Sequence, residues 1–181
     1  MKNSLRLLAG MACLGAALYG APGEEARRDR GERGLSREVR HELTTLPYYG
    51  VFDNLSYRVD GDRVTLLGQV TQPTLKRDAE SAVKDIEGVR SVENQIEVLP
   101  LSSSDDRIRR AVYRAIYGNS ALERYALQAV PSIHIIVRNG QVTLEGAVAN
   151  EGDRNAANTR ARAVRGVFGV NNNLRVDDNR S

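Results

Sequence analysis

The chain has no tryptophan, one cysteine, two histidines and two phenylalanines in 181 residues. A single cysteine excludes an internal disulfide. The two histidines, His41 and His134, stand far apart in sequence, so there is no metal-spaced His/Cys pair. No nucleophile elbow or glycine-rich phosphate loop occurs either. Aromatic residues make up 5% of the chain, which implies modest cores. Outside the amino terminus, no apolar run approaches the roughly 20 residues a membrane-spanning helix needs.

That terminus differs from the rest. Lys2 and Arg6 precede an uncharged run from Leu7 to Leu18, and small residues follow at Gly20 and Ala21. A basic start, a short apolar stretch and a small-residue end form the pattern of a secretory signal peptide. Cys13, the one cysteine, lies inside this run. Two other readings of the same stretch are an uncleaved anchor and a lipidated Cys13, although Gly10 stands where a lipoprotein signal usually has leucine. Next, "EEARRDRGER" carries both signs and no large apolar residue. This composition predicts a flexible linker. Asp60 and Asp62 flank a glycine, but the rest of a calcium loop is missing, so turn chemistry explains them.

The main positive signal is a repeat. "VTLLGQV" from Val64 returns as "VTLEGAV" from Val142, an offset of 78. The stretches 64–98 and 142–176 align without a gap and share 11 of 35 positions, mostly apolar residues and glycine. Two copies suit two small domains better than a solenoid, which needs three or more repeats.

Each copy reads as helix, two strands, helix, strand. In the first, Ser36 is the expected cap, with Val39, Leu43 and Leu46 on one face. In the second, serine caps precede Asp105 and Asp106, and Ile108, Ala111, Val112, Ala115 and Ile116 recur at helical spacing. Asp60-Gly61 and Asn139-Gly140 are the expected hairpin turns. Pro73 and Asn150 mark the start of each second helix, and Gly88 and Gly166 its stop. "NQIEV" and "NNLRV" are the closing strands. The expected fold is α+β: two tandem αββαβ units, each a small three-stranded sheet covered by helices on one face. The second copy is longer between its first helix and first strand by nine residues. There Ser120 and Glu123 resemble a capping box, and Leu122, Tyr125, Ala126 and Ala129 predict one or two further helical turns. The expected layout is a signal peptide at 1–21, a charged linker at 22–34, units at 35–100 and 101–177, and a tail at 178–181.

The pattern "VTLxGxV", then a helix, then "xGVxxVxNxLxV", resembles the BON domain, the family named for bacterial OsmY and nodulation proteins. Gly68, Gly88, Gly146, Gly166, Asn94 and Asn172 are the motif positions that carry the likeness. It spans about Leu35 to Val176. The resemblance implies an exported, periplasmic, non-enzymatic protein. It would be associated with phospholipid membrane or the cell envelope, in envelope maintenance or osmotic-stress protection, with no cofactor. The family has no catalytic signature to carry over.

Charge separates the two copies. Residues 36–100 carry 8 basic and 11 acidic side chains, and residues 101–181 carry 12 and 8. On the second helix of the second copy, Arg154, Arg162 and Arg165 fall on one stripe, with Phe168 beyond its end. These four are the candidate contacts for an anionic phospholipid surface; a solvated helix face is the other reading of the same stripe. A second functional class uses Tyr48, Tyr49 and Phe52, either as a surface for an envelope protein partner, adaptor- or chaperone-like, or as packing against the neighbouring copy. Nucleic acid is disfavoured, because the basic residues are dispersed and the leader points to export. His41 and His134 are expected at solvent-facing or edge positions.

Overall fold

The computed structural model describes residues 22–128 and 130–177. The expected signal peptide with Cys13, the tail at 178–181 and Ala129 lie outside the described residues. The first unit comprises α1 (Pro22–Thr45), β1 (Asn54–Asp60), β2 (Arg63–Val70), α2 (Pro73–Lys84), β3 (Ser91–Asn94) and β4 (Glu97–Val98). The second comprises α3 (Ser103–Tyr117), a 3-10 helix (Glu123–Ala126), β5 (Ile133–Arg138), β6 (Gln141–Val148), α4 (Glu151–Arg162), β7 (Gly169–Asn172) and β8 (Arg175–Val176).

In each unit one central strand holds the sheet. β2 pairs antiparallel with β1 and parallel with β3 and β4; β6 does the same with β5, β7 and β8. The sequence repeat is also a register repeat. Val64 faces Val92 as Val142 faces Val170, and Val59 faces Val64 as Val137 faces Val142. Alternation along β2 buries Val64, Leu66 and Val70, and along β6 it buries Val142, Leu144 and Val148. Val39, Leu43, Leu75, Ala79 and Val83 cover the first set from α1 and α2. Val112, Ile116, Ala157 and Ala161 cover the second from α3 and α4. The result is two cores, each beneath its own pair of helices.

The closing strand of each unit is split, and the asparagine of the motif explains why. After Asn94, the Gln95 amide still donates to Leu66 O at 2.9 Å, but the Ile96 amide turns to Asn94 Oδ1 at 3.1 Å. Asn94 Nδ2 reaches the Lys76 carbonyl on α2 at 2.9 Å. Asn172 repeats this with the Leu174 amide at 3.3 Å and Arg154 O at 2.9 Å. One amide side chain thus replaces lost ladder bonds and ties helix to strand. The step turns Ile96 and Leu174 into the cores.

The glycine of "VTLxGxV" answers a different need. Gly68 and Gly146 have φ of 115° and 114°, and a Cβ there would lie 2.0 Å from Asn54 O and Ser132 O. The partner strand crosses too closely for any side chain.

Four local expectations are corrected. The segment 22–34 is helical, continuous with α1; its alternating signs and its Glu, Ala and Arg residues favour helix. Ser36 is therefore interior to α1 and meets Tyr57 Oη at 3.0 Å instead of capping. The first hairpin turn is Gly61-Asp62, since Asp60 pairs with Arg63; Gly61 has φ 61°, and a glycine in the first central position suits a II′ turn. Asn139-Gly140 is the turn expected, with both φ positive. Finally, the longer connection of the second unit forms one 3-10 turn without a capping box: its start is Leu122, and Asn119 Oδ1 takes the Ala121 amide at 3.0 Å. Leu122 and Tyr125 are buried there. Glu32 accepts from the Gly61 amide as Asp105 accepts from the equivalent Asn139 amide, which aligns α1 with α3 at an offset of 73. Against the strand offset of 78, the second connection is longer by five residues, not nine.

Gly146→Ala should lower the stability of the second unit by about 2–3 kcal/mol, from the backbone clash and the positive φ. Gly31→Ala, in a helix with nothing within 4 Å of the new methyl, should be neutral or stabilising by up to about 1 kcal/mol. Urea unfolding of the two variants would measure both effects.

Candidate functional site

Among the described residues no group of three His, Cys, Asp or Glu side chains could hold a metal ion. Nor is any described helix long and apolar enough to cross a membrane. The buried carboxylates are occupied by structure. Asp53 takes the Thr71 amide and hydroxyl at 2.7 and 2.8 Å. Asp153 takes the Tyr125 hydroxyl at 2.6 Å, the Asn150 amide at 3.0 Å and the Arg124 guanidinium.

The most distinctive charged feature lies between α3 and the turn that follows α4. Arg107, Arg110 and Arg114 are spaced three and four apart, which places them on one face of α3. With Arg165 they line a groove of about 470 Å³ over Ile108 and Ala111. No carboxylate lines it, and none of the four has an ion-pair partner among the described residues. Four other arginines of this unit are neutralised: Arg109 pairs with Asp106 at 2.5 Å, Arg124 with Asp153, Arg138 with Glu97 and Arg154 with Glu151. Arg109 also points inward and donates to Val137 O at 2.8 Å.

The residues singled out by sequence are therefore divided. Arg154 is half-buried and spent on Glu151; Arg162 donates to Asn158 Oδ1 at 3.4 Å. Arg165 lies beyond the end of α4, so it leaves the expected stripe and faces the arginines of α3. Phe168 is 80% exposed and stands outside the core. Its amide donates to Gly140 O at 2.9 Å, and its ring packs where a Gly140 side chain would be. Asp105, in the first turn of α3, accepts from the Asn139 and Gly140 amides, each at 2.9 Å. The start of α3, the β5–β6 turn and Phe168 therefore share one end of the unit, close to fully exposed Leu101. The i, i+3, i+7 spacing of the α3 arginines was available in the sequence; reading that helix for its apolar face alone passes over it.

The aromatic cluster has a different fate. Tyr49 stacks on His134, with ring centroids 5.6 Å apart, and Phe52 meets Tyr113 edge-on at 6.2 Å. Val51 O accepts from the Ile135 amide at 2.8 Å. These residues join the two units, and Tyr48 alone of the three remains exposed. His41 is exposed as expected. His134 lies on the edge strand β5, but Tyr49 covers its ring.

Comparison with known proteins accords with this architecture. The family model for the BON domain matches residues 35–100 and again residues 104–178. A search of curated proteins finds no match. Among solved structures, the C-terminal domain of CdsD, a structural protein of the type III secretion system of Chlamydia trachomatis, is 12% identical. It covers 79% of this chain and 97% of its own, with a TM-score of 0.28. A second CdsD structure is likewise 12% identical, covers 80% and 94%, and has a TM-score of 0.29.

Asp105→Ala would leave the Asn139 and Gly140 amides without their acceptor and free the turn that seats Phe168. The expected cost is about 1–3 kcal/mol. Amide exchange at Asn139 and Gly140 should accelerate well beyond that of the β5–β6 ladder, a local signature that global destabilisation would not give.

Proposed function

We propose that this chain, which belongs to the BON domain family in both of its units, docks on anionic phospholipid surfaces of the cell envelope and catalyses no reaction. BON domains are associated with membrane or phospholipid binding and are generally non-enzymatic. The observation that carries the reading is the groove between α3 and the turn after α4, where four arginines converge without a carboxylate. Self-neutralised arginines would contribute little to an external anion; these are free to do so. Phe168 and Leu101, exposed at one end of the same unit, supply apolar contact.

Magnitudes set the form of the interaction. Each arginine near an anionic surface contributes about 1 kcal/mol, so four give roughly 4. Partial burial of Phe168 adds about 1–2 kcal/mol. The sum corresponds to weak, reversible association, strengthened by whatever tethers the chain close to the bilayer. Export by residues 1–21 to the periplasm, and a role in envelope maintenance or osmotic-stress protection, complete the proposal.

Flotation with phosphatidylcholine vesicles, with and without phosphatidylglycerol, tests it. Binding should require the anionic lipid and weaken steeply with salt. Replacing Arg107, Arg110, Arg114 and Arg165 together by alanine should lower the partition coefficient by about a hundredfold or more. Replacing Arg154 and Arg162 should change it only a few-fold. Equal flotation with neutral vesicles, or no loss in the four-arginine variant, would discard the reading.

A further inference from the structure

The junction between the units contains a titratable ring that the membrane reading does not use. His134 projects from β5 against the segment 46–53 of the first unit. Its ring stacks on Tyr49 with 21° between the planes, and Nε2 lies 3.5 Å from Tyr49 Oη. Nδ1 is buried without any hydrogen-bond partner. Just beside it runs the backbone bond from the Ile135 amide to Val51 O. Three contacts therefore close the junction around this ring: the stack, that bond, and Phe52 on Tyr113.

We propose that His134 is a proton-operated latch, holding segment 46–53 against β5 while its ring is neutral and releasing it when the ring is protonated. A neutral imidazole tolerates a dry stack. An imidazolium has two N–H donors that both need acceptors; docked, Nδ1 makes no hydrogen bond, and the carbonyls beside the ring offset only part of the cost of burying the charge. The groups that face the ring are few. From the segment 46–53 come Tyr49, the Gly50 and Asp53 carbonyls and the Asp53 carboxylate; from β6 comes Glu145. The oxygens of Asp53, Gly50 and Glu145 favour the charged ring, and burial outweighs them, so the pKa is lowered. Asp53 is already engaged by Thr71, and Glu145 accepts from Asn173 Nδ2 at 2.7 Å. Further along the same face, Arg138 is paired with Glu97.

The direction in pH follows from the lowered value. An undocked His134 titrates near about 6.5. The docked form then binds fewer protons at any pH between the two values. Docking is strongest above about 6.5 and weakens as pH falls towards the depressed pKa. The segment is chemically suited to release, because its polar anchor Asp53 belongs to its own unit and stays bound to Thr71. The two cores survive, and the Arg138–Glu97 pair still spans the junction, so the units loosen about it and do not part.

Spin labels on exposed helix positions, Ser81→Cys and Thr159→Cys in a Cys13→Ser chain, would report the distance between units. One narrow distribution is expected at pH 7.5 and a broad one at pH 5.0. His134→Gln, which cannot titrate, should give the same width at both values. Proton NMR of the unlabelled chain supplies an independent reading. The His134 ring should titrate below a free imidazole, about 6.5, and should return towards that value in Tyr49→Ala. An unchanged width in the parent chain, equal broadening in His134→Gln, or a His134 titration at the free-imidazole value would overturn the latch.

Discussion

Every strand in each unit bonds to one central strand, and the alternation along that strand decides which side of the sheet becomes core. β2 and β6 each accept an antiparallel partner on one edge and a split parallel partner on the other. Shifting either by one residue would turn Val64, Leu66 and Val70, or their counterparts, to solvent. The register is pinned at both ends. A hairpin turn with positive φ fixes one end, and a glycine over which the neighbouring strand passes fixes the other. Neither position can be shifted without meeting a side chain, so the short sheet has one way to pair.

This explains which parts of the fold were legible in the sequence. Positions under strong local constraint were: the glycine required by close approach, the alternating valines, and the asparagine that bridges the strand break. Each states its requirement within a few residues. The less legible parts were those decided by distant contacts or by competing propensities. The charged segment before Leu35 lacks apolar residues, yet its helix formers extend α1. The connection after Tyr117 has helical spacing, yet its path is set by Tyr125 reaching Asp153 and the Ala149 amide, 28 and 24 residues away. The candidate site was half visible. Arg165 reads as part of a stripe on α4 with Phe168 beyond its end, whereas the α3 arginines that meet Arg165 come together with it only once the helices pack.

Charge also takes its meaning from pairing, not from count. The second unit's positive balance is spread over twelve basic residues. Several of these are cancelled locally, Arg154 by Glu151 in the next turn and Arg138 by a glutamate of the other unit. Of those without an ion pair among the described residues, four, Arg107, Arg110, Arg114 and Arg165, line one groove. A one-dimensional tally cannot separate a neutralised arginine from a free one, although their potentials outside the protein differ in kind.

The duplicated units have diverged most between the first helix and the first strand. In the second unit that connection folds back on its own core through Leu122 and Tyr125. In the first it is five residues shorter, and Val51 and Phe52 pack against the core of the neighbour. Leu46 and Tyr49 of this short connection still pack on their own core, while Val51 and Phe52 reach across to the neighbour. The two copies are consequently not interchangeable. The first supplies the clasp, and the second supplies both the surface that receives it and the face with unopposed positive charge. The clasp grips β5 and, through Phe52 on Tyr113, one side of α3, whereas Arg107, Arg110 and Arg114 with Arg165 line a separate groove, so a change at the junction can move the first unit without dismantling the charged face.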